Sequence, residues 1–319
     1  MKTKSRLAIA FTFIMMNFSI CGIASAQQIM KGESANWYKA DLHTHHTYSD
    51  PLETTATAYE KTGYQFVVLS TKDMQTPLNV RKQSTPGMLV VEGVEQAFIT
   101  RKNMLGHVIA FPIKAPYPVT TAWSLKEGYE KLRAKNKNVI LGVNHPHDKR
   151  WTLEDIIEAS DEGVRLFELN SIDMKHGEFE TALWDQALAE GARMYATLTN
   201  DVHHMNDVDA YGYIMVRAKE LSLPSIAEAI VAGDFYAKES ECKVTPVEYN
   251  IAGSAKKRTL EIIAPGAAEI TVIADGSKVA NFKENRASYK LKGSEKYVRA
   301  EISDSNGRYI FMQPFFFSK

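Results

Sequence analysis

Between about residues 36 and 240 the chain alternates short apolar runs with longer amphipathic stretches. The apolar runs are Trp37-Tyr38-Lys39-Ala40, Phe66-Val67-Val68-Leu69, Met88-Leu89-Val90-Val91, His107-Val108-Ile109-Ala110-Phe111 and Val139-Ile140-Leu141-Gly142-Val143, continued by 164–169, 194–198 and 213–216. Runs this short, rich in β-branched and aromatic residues and bounded by turn formers, predict strands buried on both faces. The stretches between them predict helices. Residues 123–136 place Leu125, Tyr129 and Leu132 on one side, and Thr152 with Asp155 three positions on forms a capping box ahead of Leu153, Ile156 and Ile157. Residues 178–190 carry Phe179, Leu183 and Ala187 on one face before Gly191, and 224–232 begins at Pro224. Alternating strands and helices predict an α/β fold, either a barrel or a wound sheet.

Beyond about residue 242 the rhythm changes. Strand-like segments at 259–263, 269–274, 287–291 and 297–302 follow one another without helices, and Asp275-Gly276 and Asn306-Gly307 are hairpin-turn signals. They predict a small, separate β-sandwich. The chain thus divides into an N-terminal leader (1–26), an α/β domain (27–241) and a β-sandwich-like C-terminal domain (242–319).

The leader has a basic start (Lys2, Lys4, Arg6), a mostly apolar stretch over 7–23 and a small-residue cleavage pattern in Ala24-Ser25-Ala26. It predicts export to the periplasm or medium, with no membrane attachment after cleavage. Cys242 is then the only cysteine left, so no intrachain disulfide supports the fold. Lys plus Arg equals Asp plus Glu, at 38 each, and no basic run interrupts the balance. Such a chain lacks the field expected of a nucleic-acid or membrane-surface binder, and a small-molecule substrate is the expected partner.

The chemistry concentrates around histidine. Of 9 histidines, all but His176 fall in Asp41-Leu42-His43-Thr44-His45-His46, Gly106-His107, Asn144-His145-Pro146-His147 and Asn200-Asp201-Val202-His203-His204. Except for His107, each cluster follows an apolar run, where the functional loops of a barrel or wound sheet emerge. Alternate residues of a strand point the same way, so His43 and His45 can face one ion, and Asp201 with His203 repeats the spacing. Nitrogen and oxygen donors without cysteine suit Zn, Mn or Fe. His46, His147 and His204 read as groups behind the ligands or facing substrate. Glu168 and Asn170 are either groups that orient the ligands or simple polar strand ends. Arg101, Lys102 and Arg150 are candidates for an anionic substrate, with solvated surface charge as the plainer reading. Trp151 is a pocket wall or ordinary core, and Glu92 competes with Glu95.

The order of these clusters resembles the PHP (polymerase and histidinol phosphatase) domain. Asp41-Leu42-His43-Thr44-His45 with Ser49-Asp50 looks like its first motif, Gly93-Val94-Glu95 is similar to its Gly-x-Glu segment, and Gly106-His107, His145-Pro146 and Asp201-Val202-His203 follow in the family's order. The resemblance spans about residues 36–240, and exported members with a β-rich C-terminal extension, including carbaryl-hydrolase-like enzymes, look most similar. It implies a distorted seven-stranded (β/α) barrel of PHP type with two or three divalent ions. By matching position, His43, His45, Glu95 and Asp201 would bind one ion, and Glu95, His107 and His145 a second, with Glu95 bridging. Asp50 and His203 would contribute to a third. A metal-bridging hydroxide would then attack phosphorus, or a carbonyl carbon.

One segment departs from the family pattern. Its Thr-Asp-His-Asp stands here as Ser70-Thr71-Lys72-Asp73. An ammonium repels a cation, so two firm ion sites are expected with the third weak or absent, and Lys72 is expected to meet the substrate's anionic oxygen instead. The expected function is hydrolysis of an anionic phosphate ester, with Lys72, Asp201 and His203 in catalytic roles. The alternatives are hydrolysis of carboxyl ester, amide or carbamate bonds, and a non-catalytic, metal-stabilised binding protein.

Overall fold

The computed structural model describes residues 35–45, 52–71, 80–113, 123–170, 174–175, 177–244, 247–254 and 257–317. The leader, Asp50, Lys72, His46 and His176 lie outside the described residues. The first half of the chain runs β1 (Asn36–His45), α1 (Leu52–Lys61), β2 (Phe66–Thr71), β3 (Leu89–Ile99), β4 (Leu105–Phe111), α2 (Leu125–Lys135), β5 (Ile140–Val143), α3 (Leu153–Asp161), β6 (Leu166–Glu168), α4 (Thr181–Glu190), β7 (Tyr195–Thr197), β8 (Gly212–Ala218), α5 (Leu223–Ala232) and β9 (Phe235–Glu239). Local chemistry sets the helix ends. Ser124 accepts from the Glu127 amide at the start of α2, and Thr152 and Asp155 form the reciprocal capping box of α3. Gly191 and Gly233 end α4 and α5 at φ 107° and 75°, a region that costs glycine little. Pro224 takes the second helical position of α5, because Ser222 is the cap and Leu223 opens the helix.

Strand direction follows the connections. β1, β2 and β3 are mutually parallel, as are β5, β6 and β7. Between β3 and β4 only a short turn intervenes, too short for a crossover, and β4 runs antiparallel to both β3 and β5. The strand–helix alternation expected from the sequence breaks at this hairpin. β8 and β9, although joined through α5, are also antiparallel to each other.

β1 is the strand on which the architecture turns. One side pairs with β2. On the other side its first half, Asn36 to Ala40, pairs antiparallel with β8, whereas its second half meets the segment that follows β7. There Asp201 donates its amide to His43 O at 3.0 Å and His45 donates to Val202 O at 3.3 Å. The strands therefore come round on themselves at the C-terminal end of β1. Strand pairing does not complete the expected seven-stranded ring, because β7 has a strand neighbour on one side only, β6. The fully buried side chain of Gln313 takes its free edge, donating to Ala196 O and accepting from Ala196 N, both at 2.8 Å. Inside, Ala40, Leu42, Phe66, Val68, Val94, Phe98, Leu141 and Phe167 form the core that α2 to α5 cover with Tyr129, Ile156, Trp184 and Ile226.

The remainder of the chain is β10 (Glu248–Ser254), β11 (Lys257–Ile263), β12 (Ala267–Ala274), β13 (Ser277–Phe282), β14 (Arg286–Lys290), β15 (Tyr297–Asp304), β16 (Tyr309–Met312) and β17 (Phe315–Phe316). Asp275-Gly276 makes the β12–β13 turn with both residues at positive φ. The sheet β10–β11–β14 and the sheet containing β13, β12, β15 and β16 enclose one core, Leu260, Ile262 and Ala287 against Val272, Ala300, Ile302 and Ile310. This sandwich is not separate. β16 pairs with β9, so a single sheet runs from the C-terminal strands into the α/β half.

A buried ion pair reinforces that join. Arg299 on β15, with no exposed side-chain surface, grips Asp185 of α4 through Nε and Nη2 at 2.7 and 2.6 Å. Its Nη2 also lies 2.9 Å from Glu301, and the guanidinium lies over the Trp184 ring at 4.6 Å. Glu301 stays beside the guanidinium, so Asp185→Ala, which removes two charge-assisted bonds without stranding the charge, is expected to lower unfolding stability by about 1.5–3 kcal/mol. Gln313→Ala, which leaves both main-chain groups of Ala196 unmet, is expected to cost roughly 2 kcal/mol or more. Urea unfolding of the two variants beside the parent checks both.

Candidate metal centre

The C-terminal end of β1, the middle of β3, the start of β4 and the loops after β5 and β7 converge. His43 and His45, two apart on β1, set their Nε2 atoms 3.3 Å from each other. Asp201 Oδ1 lies 3.4 Å from His43 Nε2, 3.1 Å from His45 Nε2 and 3.3 Å from His203 Nε2. Asp201 and His203 do not reach this place by strand alternation, as their spacing had implied. They sit in a loop, and Asp201 turns the chain at φ 43°. The second group adjoins the first. Glu95 Oε1 is 3.0 Å from His145 Nε2 and 3.3 Å from His107 Nδ1, and the two rings approach to 3.4 Å. Glu95 also reaches back, with Oε1 3.3 Å from His43 Nε2 and Oε2 3.2 Å from His45 Nε2.

The motif residues around these donors have local reasons. At Gly93 a Cβ would come within 2.6 Å of Val68 Cγ1, so glycine lets β3 lie close to β2 two residues before Glu95. At Gly106 a Cβ would meet the buried Trp151 ring at 2.7 Å, so the indole packs on the strand beside His107. Trp151 is thus core. His107 begins its apolar run because β4 is reversed, which brings the start of β4 to the end of the sheet where the parallel strands finish. Glu92 lies an odd number of positions from Glu95 on β3, on the opposite strand face.

The ring tautomers are set from behind. Ser70 donates its hydroxyl to Thr44 O at 2.9 Å and lies 2.9 Å from His45 Nδ1, so that nitrogen carries the proton and Nε2 is left bare. His43 Nδ1 faces the buried Glu168 carboxylate at 3.1 Å, with the same result. Two bare ring nitrogens 3.3 Å apart repel each other unless a cation lies between them. Asp201 Oδ1 is buried without a hydrogen-bond partner among the described residues. Tetrahedral ligands about 2.0–2.1 Å from an ion stand about 3.3–3.4 Å apart, close to the spacings within both groups. The donor set fits divalent ions, His43, His45 and Asp201 around one and Glu95, His107 and His145 around another.

Charge points the same way. Burial opposes ionisation of Asp201, yet His43 outweighs it, aided by His203 and His45, and holds the carboxyl far below its usual range. Burial likewise opposes the charge on Glu95, and His43, His107 and His145 overcome it, keeping this carboxyl low as well. Burial disfavours protonated His43 and His45, but neighbouring carboxylates, Asp201 foremost, raise both. Without metal, protons on these rings compensate the buried carboxylates. Asp41 lies beneath, holding the His43 amide at 3.1 Å and accepting from Tyr59 Oη and Asn200 Nδ2, each at 2.8 Å. Burial, only partly offset by these donors, pushes its carboxyl up to about 6.

The structure thus brings together His43, His45, Glu95, His107, His145, Asp201 and His203. His147 stands beside His145, with ring centroids 6.4 Å apart, and His204 is exposed. Arg101 pairs with Glu158, Lys102 donates to the carbonyls of Lys149 and Trp151, and Arg150 donates to Leu105 O. Sequence reasoning missed Ser70 and Thr199 as supports, since each acts through an atom distant in the chain. Asn170 holds the loop after β7, its amide donating to Thr199 O at 2.8 Å and accepting from Thr199 N at 3.1 Å.

No family model matches the sequence, and no curated protein matches it. Three chains among the solved structures are similar, two of them as follows. One is a two-domain protein containing a predicted PHP-like metal-dependent phosphoesterase from Bacteroides vulgatus ATCC 8482, with TM-score 0.48, 17% identity, and 88% of this chain and 95% of that chain covered. The other is a proposed metal-dependent phosphoesterase from Bifidobacterium adolescentis ATCC 15703, with TM-score 0.40, 13% identity, and 52% of this chain and 88% of that chain covered. At these identities neither carries an activity over to this chain.

Because protons hold the rings in the metal-free protein, metal uptake must displace them from His43 and His45. Apparent affinity for zinc or manganese is therefore expected to rise with pH over the range above the ordinary imidazole value of 6.5, with proton release measurable by calorimetry in buffers of different ionisation enthalpy. An affinity flat across that window would contradict the assignment.

Proposed function

We propose that this chain is a metal-dependent phosphoesterase of the PHP-like kind. One arrangement supports the reading: Glu95 places a single carboxylate against His107 and His145 on one side and His43 and His45 on the other, so two three-donor groups adjoin across it. Pure scaffolding has no need of two adjoining ions with an open face. His43, His45 and Asp201 would hold one ion, and Glu95, His107 and His145 the other. The chemistry such ions supply when bound is to ionise a water near neutral pH and to offset the charge on phosphoryl oxygens.

The chain's own groups do the rest. Asp201 and Glu95 stay ionised and fix the donor geometry. Ser70 and Glu168 keep the ring protons of His45 and His43 on the side away from the site. His203 is the most exposed of the group at 35%, and its Nε2 stands at the open side 3.3 Å from Asp201, where it would hold a proton for the departing alcohol oxygen. A small anionic phosphate ester suits this charge pattern. The lysine at position 72, where the family's pattern has histidine, supports two resident ions rather than three and an ammonium turned to the substrate, with Asp50 and His203 left as a weak third set. The leader pattern supports export.

The test is direct. Purified chain loaded with manganese or zinc is given p-nitrophenyl phosphate, bis-p-nitrophenyl phosphate and p-nitrophenyl acetate. Turnover of a phosphate substrate is expected, abolished by chelation and reduced more than about 100-fold by Asp201→Asn, beyond the usual effect of losing a group that merely supports a ligand. Turnover of the acetate alone would overturn the phosphoester reading, and metal binding without turnover of any of the three would overturn the enzyme reading. Elemental analysis is expected to give two ions per chain, and three tightly held ions would remove the role given to Lys72.

A further inference from the structure

Glu168 ends β6 outside both donor groups, yet its carboxylate touches each. It is 2% exposed. Oε1 lies 3.1 Å from His43 Nδ1 and accepts from Thr199 Oγ1, while Oε2 accepts the backbone N–H of His145 at 2.6 Å. No Lys or Arg among the described residues pairs with it, so its charge is met by these three donors. We propose that Glu168 is a positioning residue that couples the two ion sites, an inference that rests on reading the cluster as a metal centre.

Two physical consequences follow from one side chain. An ionised carboxylate only accepts hydrogen bonds, so His43 must present its proton at Nδ1 and its lone pair at Nε2, toward His45, Glu95 and Asp201. On the other oxygen, the short bond to the His145 amide holds that residue at φ 27° and ψ 58°, a conformation a histidine seldom adopts unaided. The turn so fixed directs His145 Nε2 at Glu95 and sets the neighbouring Asn144 Nδ2 2.9 Å from Glu95 Oε1. Glu168 thus fixes a tautomer in the first group and a main-chain turn in the second.

Glutamine cannot replace it. If the amide NH2 faces His43, two donors meet and the ring proton must move to Nε2, where it blocks the ion. If the NH2 faces the His145 amide, two donors meet there and the turn loses its anchor. Either orientation sets two donors against each other at one site, and the lost negative charge weakens the acceptor left at the other, so both sites are damaged.

The experiment is a calorimetric titration of the metal-free full chain with zinc chloride, with thermal unfolding of the same metal-free samples. Glu168→Gln is expected to weaken both binding steps, each by about 10–100-fold, the range for losing a group that orients a ligand, while the metal-free protein still unfolds cooperatively. Two wild-type binding steps in Glu168→Gln would overturn the proposal, and so would loss confined to one step, since coupling requires both. Should Glu168→Gln not fold, Thr199→Val keeps the carboxylate and removes one donor to Oε1. It is expected to weaken one step severalfold, and unchanged binding would overturn the proposal. These readouts are of binding, so they stand apart from hydrolysis. A wild-type chain that takes two ions and cleaves no phosphate sinks the phosphoesterase reading and leaves the role of Glu168 to be decided by its variant.

Discussion

Three buried carboxylates, Glu95, Asp201 and Glu168, meet in one place where, among the described residues, only imidazoles and neutral donors face them. Burying charge is costly unless something of opposite sign accompanies it. Arginine or lysine would satisfy the carboxylates permanently and leave an inert core, as Arg299 does for Asp185 in the middle of α4. Histidine satisfies them conditionally. Its proton can be exchanged for a cation without moving the ring, since the nitrogen that faces the carboxylates carries either one. The centre is therefore built to be incomplete, and the same electrostatics that raise His43 and His45 make the cluster a strong cation trap.

Such a cluster survives only if the backbone around it is overdetermined. β1 supplies that rigidity by facing different partners along its length, β8 at its start and the segment around Asp201 at its end. The bonds from the Asp201 amide to His43 O and from the His45 amide to Val202 O bind donor-bearing segments directly to each other. His145 and Asp201 both sit at positive φ, and each is held there by a hydrogen bond from its own amide, to Glu168 and to His43 O. Backbone strain of this kind persists where surrounding bonds exceed its cost, and it gathers at the donors.

Much of this was legible in the residues. Short β-branched runs located eight of the nine strands of the α/β half, because buried strands have no other composition available. β9 was not singled out, since Phe235-Tyr236-Ala237-Lys238-Glu239 ends in charges that are satisfied only by folding, Glu239 by Arg308 and Lys238 by Val244 O. α1 escaped for a related reason: Leu52–Lys61 has too few apolar positions to show a helical stripe, although Tyr59 is fully buried. Spacing identified the donors, yet strand direction was hidden. Nothing in Gly106-His107 says that β4 runs backward, and only the short turn from β3 makes that placement necessary. The supports were the least legible. Ser70 and Thr199 matter through atoms whose partners lie 25 or more positions away, a distance at which local pattern carries no information, and Glu168 was legible only as one of two readings of a polar strand end.

The join between the two halves follows from the same geometry. The segment after β7 pairs with the end of β1, while β8 takes the start of the same edge with β9 beyond it, so β7 is left with no strand on its outer side. An open strand edge invites pairing with another chain. Here it is closed from within by Gln313, whose amide imitates a peptide unit with one donor and one acceptor at equal distances from Ala196. Gln313 can reach Ala196 only if β16, immediately before it, is already in register with β9. The C-terminal strands are thus part of how the α/β half is completed. The irregular closure that brings Asp201 to His43 leaves an edge, and the second half of the chain is what covers it.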